Sequence, residues 1–382
     1  MSLLVGLLLS ACQPEKPADS SLGSVPPAAS AGAAATETTP AATFEGYRRY
    51  TGRVGQLPVV VELLITDSGT AGTYYYQRRG GTLGLKAAKA RPDQPLLLEE
   101  TAGSQPTGRW QSAQAPGPRL SGTWRSVDGR RELPFELTED YTGAVRYAIE
   151  WYSSQGKKAA DSVGCLRAGD TASYALEVVH LLDADRNPVL QRIQKQLLPA
   201  PYPTLQAYAD EQTSSSCEQT EQQAQVTYNA DQLLSLTRFE QIYQFGGAHP
   251  THEFTPLTFD LRTGRRLLLP DLLKPGYEQP LRRLLTKRLL ADNLYGDFYR
   301  DEGGQPGQPF ERWTDEQGNP QALVPLPGSG FSLMPGEISF QWNEYEIGPY
   351  VIGPQTVNIS YADLRPLLRP TGPLAPVLAR FK

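Results

Sequence analysis

Histidine, cysteine and methionine are scarce in this chain: three, three and two among 382 residues. His180, His249 and His252 are the whole histidine supply. Zinc takes three or four ligands, so a histidine-based centre would have to recruit all of them. Long hydrophobic runs are missing as well, and no segment is apolar for long enough to span a bilayer as a helix. Neither sign of charge dominates: 36 Lys and Arg against 41 Asp and Glu leave −5. That balance gives no electrostatic footprint for nucleic acid. No Gly-x-Ser-x-Gly elbow, P-loop or His-Glu-x-x-His helix motif is present. Nothing in the pattern calls for a cofactor.

What is abundant points to strands and turns. There are 35 Gly, 33 Pro and 19 Tyr, a mix that suits β-rich, turn-rich structure better than a helical bundle. At the N-terminus, Leu3-Leu4-Val5-Gly6-Leu7-Leu8-Leu9 precedes Ser10-Ala11-Cys12. A short apolar run followed by small residues is the form of a secretory signal. Leu9-Ser10-Ala11-Cys12 resembles the lipobox of bacterial lipoproteins, although no Lys or Arg precedes the run. The resemblance implies a signal peptide over residues 1–11 and acylation of Cys12. It implies anchoring to a membrane through lipid, on the extracytoplasmic side of a bacterial cell envelope. Gln13 is not the aspartate that resembles an inner-membrane retention signal. The outer membrane is therefore expected if the cell is Gram-negative. With Cys12 lipidated in an oxidising compartment, Cys165 and Cys217 are expected to pair. In the chain-entropy model a loop of that size adds about 4 kcal/mol. Two separate buried thiols are the other possibility.

Composition then divides the chain. Residues 12–43 are dominated by Ala, Pro, Ser and Thr, a flexible tether reaching on the order of 30 Å. From Phe44 to about Asp140 the pattern alternates with period two. Val59, Val61, Leu63 and Ile65 share a face, and short strands follow at 82–85, 96–99, 108–110, 120–124 and 133–137. Turn signals separate them, including Asp128-Gly129. A Gly-x-aromatic unit recurs at Tyr74, Trp110 and Trp124. This predicts an antiparallel β meander over 44–140, curled or closed as a small barrel. Its aromatics serve core packing or a ligand-stacking face. Residues 141–225 are expected to form a small α+β domain. It has a strand at 172–182, then a helix capped by Asn187 and opened by Pro188. A polar stretch follows at 211–223. Further strands are expected at 225–228, 233–243 and 254–261. An amphipathic helix spans 277–292 with Arg282, Arg283, Lys287 and Arg288 facing out. A long loop is expected at 301–330, strands near 331–333, 337–342 and 356–359, and a last helix at 362–368.

The C-terminal third carries a resemblance. The blocks are Phe245-Gly246-Gly247-Ala248-His249, Phe259-Asp260-Leu261-Arg262-Thr263-Gly264 and Leu269-Pro270-Asp271-Leu272. Tyr345-Glu346-Ile347-Gly348-Pro349-Tyr350-Val351-Ile352-Gly353-Pro354 and Val357-Asn358-Ile359-Ser360-Tyr361 complete them. In order and spacing they resemble the C-terminal domain of the anti-sigma-V factor RsiV. That domain also occurs in the peptidoglycan deacetylase PdaC and in uncharacterised bacterial lipoproteins. The likeness covers about residues 226–369, within an expected domain of 226–382. It departs at Pro250, where glycine is frequent, and at Gly348, where alanine is usual. The resemblance implies an extracytoplasmic α+β fold with an antiparallel sheet and packed helices. It also implies lysozyme or peptidoglycan fragments as the partner class. With no transmembrane run in the sequence, the anti-sigma role is not expected to carry over.

Two histidines and an acid within His249-Pro250-Thr251-His252-Glu253 allow three arrangements: a structural turn, the rim of a partner groove, or a metal site completed by His180. The expected site combines Gly246, Gly247 and His249 with Tyr345, Glu346, Pro349 and Tyr350. Glycine frees the turn backbone, and tyrosine buries area at small entropic cost while keeping a polar tip. The function expected is binding rather than catalysis. The alternatives are a metal- or carboxylate-dependent cell-wall hydrolase using pairs such as Glu253 and Asp260 or Glu344 and Glu346, and a structural envelope lipoprotein.

Overall fold

Period-two alternation builds the first eight strands, and each pairs antiparallel with the next. They are β1 (Gly46–Val54), β2 (Leu57–Thr66), β3 (Gly69–Tyr76), β4 (Leu83–Ala87), β5 (Leu97–Ala102), β6 (Gln105–Gln111), β7 (Arg119–Ser126) and β8 (Glu132–Glu139). β1 also pairs with β8, from Tyr50↔Glu139 to Val54↔Phe135, so the meander closes into a barrel. Closure removes both sheet edges. The computed structural model describes residues 46–66, 69–87, 95–158, 170–199, 203–292, 296–299, 310–314, 317 and 319–380. The described residues lie in one compact unit, Thr43–Lys382.

The barrel interior is filled. Tyr74, Trp110, Phe135 and Leu120 are each 1% exposed, and Trp110 meets Tyr74 and Phe135 ring to ring at 4.9 and 4.8 Å. The Gly-x-aromatic rings thus serve the core. Gly122 shows why glycine accompanies them. A Cβ there would stand 2.0 Å from the Gln111 carbonyl oxygen and 2.7 Å from the edge of the Phe135 ring. One carboxylate sits inside. Glu100, 2% exposed, accepts hydrogen bonds from Tyr74 Oη, Trp110 Nε1, Trp124 Nε1 and Thr107 Oγ1 at 2.7–2.9 Å. A buried acid is tolerable only when its oxygens are satisfied in this way.

A six-stranded sheet follows, in the order β14-β13-β12-β11-β10-β9. Its strands are β9 (Tyr147–Lys157), β10 (Thr171–Leu181), β11 (Glu218–Ala230), β12 (Leu233–Gln244), β13 (Thr251–Asp260) and β14 (Arg265–Arg266). β10 and β11 run parallel, joined by a crossover holding α1 (Pro188–Leu197) and α2 (Leu205–Ser215). Asn187 caps α1 as expected, its side chain accepting from the Val189 and Leu190 amides. Leu190, Ile193 and Leu197 enter a core shared with Val179, Leu236 and Phe259. The division expected at residues 225/226 falls inside β11, a single 13-residue strand. The polar stretch expected at 211–223 holds the end of α2 and the start of β11. Among residues 218–224 only Thr220 and Ala224 are buried, so there was no apolar alternation to read.

Short helix α3 (Leu269–Leu272) leads to α4 (Glu278–Leu290), and α5 (Gly296–Tyr299) follows. Leu281, Leu285 and Leu289 of α4 are buried. Arg282 departs from the expected outward basic face. It is half-buried and donates to the Leu323 and Val324 carbonyls. Within the expected 301–330 loop, β15 (Phe310–Thr314) pairs with β16 (Pro320–Gln321). A three-stranded sheet, β17 (Phe331–Met334), β18 (Glu337–Trp342) and β19 (Gln355–Ser360), lies between α4 and the larger sheet. Helices α6 (Tyr361–Leu364) and α7 (Ala375–Arg380) close the chain. The result is α+β with an N-terminal barrel. Among the described residues no helix is long and apolar enough to cross a membrane.

Candidate functional site

β12 and β13 form a long hairpin whose tip is the 245–250 turn. Gly246 takes φ +84°, a left-handed value that favours glycine. A Cβ at Gly247 would press to 2.9 Å from the Gln244 carbonyl oxygen. β13 starts at Thr251 rather than at the expected 254, so His252 and Glu253 belong to a strand and not to the turn. Strand alternation sends their side chains to opposite faces. The longer strand pairs with β12 on one side, Thr251 with Ile242 and His252 with Gln241, and is held on the other by the β18–β19 loop. Asn343 accepts from the Phe254 amide at 2.7 Å and donates to its carbonyl at 3.3 Å. Glu344 accepts from the His252 amide at 3.1 Å. These side chains occupy a strand edge that β14 does not reach.

The same loop brings its tyrosines to the hairpin. Tyr350 stacks on His249 with centroids 3.5 Å apart and planes 20° from parallel. Tyr350 also lies 6.3 Å from His252, and His252 lies 5.8 Å from Phe239, both stacked. Phe239 then meets Phe254, its cross-strand partner, at 5.2 Å. Five rings form a ladder running from the hairpin tip into the sheet. Tyr345 leans on Tyr350 at 6.4 Å and is 61% exposed. Its φ is +66°, costly for a bulky residue.

Proton positions follow from the partners. The Pro250 carbonyl can only accept, so His249 Nδ1 donates to it at 2.9 Å. Its Nε2 faces the Tyr345 hydroxyl at 3.4 Å. His252 Nδ1 donates to Glu344 Oε1 at 2.5 Å, and the Glu344 side chain is 5% exposed. Partial desolvation, then the charges of Glu344 and Tyr345, hold the Tyr350 phenol above its ordinary value. It therefore stays neutral at pH 7 and keeps its hydroxyl proton.

Of the expected site residues, His249, Tyr345 and Tyr350 come together, with Gly246 and Gly247 shaping the turn. Pro349 is exposed and opens a 3-10 turn at Tyr350–Ile352. Glu346 is turned elsewhere, its carboxylate accepting from the Gly328 amide at 3.3 Å. His180 is in β10, with Glu150 3.9 Å away, and takes no part in the ladder. His252, Phe239 and Glu344 belong to the site but were not singled out for it. The signals were the second histidine of the His249–Glu253 stretch and the acid pair flanking Tyr345. At Gly348 a Cβ would fall 2.2 Å from Ile352 Cδ1, so the alanine usual in the resembling domain would force that side chain to move. Cys217 precedes β11, and its carbonyl accepts from the Phe245 amide beside the turn. Cys12 and Cys165 lie outside the described residues. Among the described residues, no three His, Cys, Asp or Glu side chains converge as a metal would require.

No curated protein matches this sequence. A DUF3298 family protein from Pseudomonas aeruginosa PAO1 is 21% identical with a TM-score of 0.42, covering 59% of this chain and 95% of its own. A member of the DUF3298 family from Bacteroides fragilis NCTC 9343 is 20% identical with a TM-score of 0.40, covering 60% and 96%. Residues 270–362 match the family model described as a protein of unknown function, DUF3298. This chain therefore carries a DUF3298 domain that contains Tyr345 and Tyr350, while the hairpin that meets them lies before it.

Proposed function

We propose that this chain is a lipid-anchored protein of the bacterial cell envelope that recognises a partner with the outer end of the ring ladder. The partner class is lysozyme or a peptidoglycan glycan, taken from the likeness of residues 226–369 to the RsiV C-terminal domain. One observation carries the reading. Tyr345 is exposed, on a left-handed backbone, beside the His249–Tyr350 stack. Backbone strain at an exposed aromatic is kept where the ring has work at the surface. Val351, 82% exposed, extends the apolar rim. Acylation of Cys12 and a Cys165–Cys217 bridge belong to the same reading.

The test is capture. The chain from Thr43 onward is immobilised, and lysozyme and peptidoglycan fragments are offered in turn. Tyr350→Ala is expected to lower capture at least tenfold, about 1.4 kcal/mol, while leaving the thermal midpoint within a few degrees. Undiminished capture by a folded Tyr350→Ala variant removes the ladder from the site.

A further inference from the structure

The two ends of β13 differ in charge. From Phe239 to Leu261 the chain has no Lys or Arg, while Glu240, Glu253 and Asp260 are present. Just past the strand the balance reverses. Arg262, Arg265 and Arg266 fall within five residues at β14, the outer strand of the six-stranded sheet. The acids at this edge are already paired, Asp260 with Arg262 and Asp271 with Arg265, and the Arg369 charge acts on Asp271 as well. Four exposed cations border the edge, and among the described residues none of them forms an ion pair. Arg192 of α1 donates to the Thr263 carbonyl at 3.0 Å, Arg266 to that of Pro256 at 3.2 Å and Lys274 to that of Pro366 at 2.7 Å. Arg369 donates to the Pro270 and Leu273 carbonyls at 3.1 and 2.8 Å. A carbonyl fixes a cation in place and leaves its unit charge uncancelled.

Leu268 stands among these cations. It is 56% exposed and lies between Arg266 and Pro270, whose carbonyl holds Arg369. It is also the residue before α3, an N-cap position where Ser, Thr, Asp or Asn would supply an acceptor. Leucine there neither caps the helix through its side chain nor enters the core, so the fold gives no reason for it. A protruding aliphatic group beside fixed, unpaired cations is the chemistry that meets a bilayer, whose acyl region lies beneath anionic headgroups. A soluble polyanion would answer the cations alone. The whole chain carries −5, so attraction to a negative surface has to be local.

We propose that the β14 edge is a membrane-contact surface. Leu268 enters the lipid interface, and Arg192, Arg266, Lys274 and Arg369 meet anionic phospholipid headgroups. β13 separates this surface from the ring ladder. His252 and Asp260 are eight residues apart along one strand, about 27 Å. Lipid contact and partner capture therefore use opposite ends of that strand. The proposal concerns the folded part of the chain and stands without acylation of Cys12.

The experiment is vesicle co-sedimentation with the chain from Thr43, which is the compact unit and lacks the apolar Leu3–Leu9 run that would itself bind lipid. Vesicles of phosphatidylcholine alone are compared with vesicles of equal parts phosphatidylcholine and phosphatidylglycerol. Binding to the anionic vesicles is expected, half-complete at about 1 mM accessible lipid from four charges worth about 1 kcal/mol each. It should be lost as salt rises from about 0.05 M to about 0.5 M. Arg266→Gln and Lys274→Gln should each weaken it about fivefold, and Leu268→Ser about fivefold by removing the apolar contact. Lys157→Gln takes the same charge from β9, at the opposite edge of the sheet, and should leave binding unchanged. Five results overturn the proposal. They are no sedimentation with anionic vesicles, equal sedimentation with both kinds, an equal loss in Lys157→Gln, unchanged binding in Leu268→Ser, or release by glycerol phosphate at the lipid concentration, which would mark an isolated phosphate site. Tyr350→Ala is expected to keep vesicle binding, so failure here and failure of the capture assay are separate results.

Discussion

Glu62 is a carboxyl group held where water is scarce. Burial lifts its pKa above the ordinary 4.5, while the Tyr47 hydrogen bond and the Arg49 charge pull the other way and lose. The sign of the linkage follows. A folded-state value above the unfolded one gives stability that is complete below pH 4.5 and lost as pH rises through the folded value. Glutamine keeps an acceptor for Tyr47 Oη and cannot ionise. Glu62→Gln is therefore expected to gain stability relative to the native chain as pH rises from about 4 to about 8. Denaturant titrations of both proteins across that range decide it, and parallel curves would refute the linkage. Glu100 is the acid inside the barrel, with four donors around it.

Between Trp342 and Gln355 one loop does the work of an element. Asn343 and Glu344 fasten it to the edge of β13, and the left-handed Tyr345 then turns the chain so that Tyr350 reaches His249. That conformation favours glycine over any L side chain by about 1 kcal/mol. Tyr345→Gly is accordingly expected to be more stable than Tyr345→Ala by about that amount, the reverse of the order in a helix or strand. Equilibrium unfolding of the pair measures it, and both should lose partner capture. The barrel strands and α1 were legible because one face of each is apolar with a regular period and their ends carry Gly, Asn or Pro. β11 was legible only in part, since its first half buries only Thr220 and Ala224. At the site, the glycine turn and the two tyrosines could be picked out locally. The pairing of Glu344 with His252 joins positions 92 residues apart, and no local period records it. Phe239 passed as an ordinary strand aromatic for the same reason.

Barrel and sheet are joined by a polar lock rather than by grease alone. Arg49 of β1, 3% exposed, donates from Nε to the Asn229 carbonyl at 3.0 Å and from Nη1 to the Asp140 carbonyl at 2.7 Å. Asn229 in turn donates to Tyr47 Oη and the Val145 carbonyl, and accepts from the Val145 amide. Tyr47 stacks on Tyr147 at 4.1 Å. Arg49→Ala leaves the buried Asn229 carbonyl and the part-buried Asp140 carbonyl without that donor and is expected to cost about 2–4 kcal/mol. It should also split a single calorimetric unfolding peak into two, the barrel melting apart from the remainder. One peak at an unshifted temperature would show that the lock is idle. The closure of β8 onto β1 has a temporal consequence. Every contact needed to seal the barrel comes from the leading stretch up to Glu139, so this part can fold as it emerges during synthesis, before β11 exists. The parallel β10–β11 pairing must wait for its crossover, and it lays the later sheet against a wall already standing.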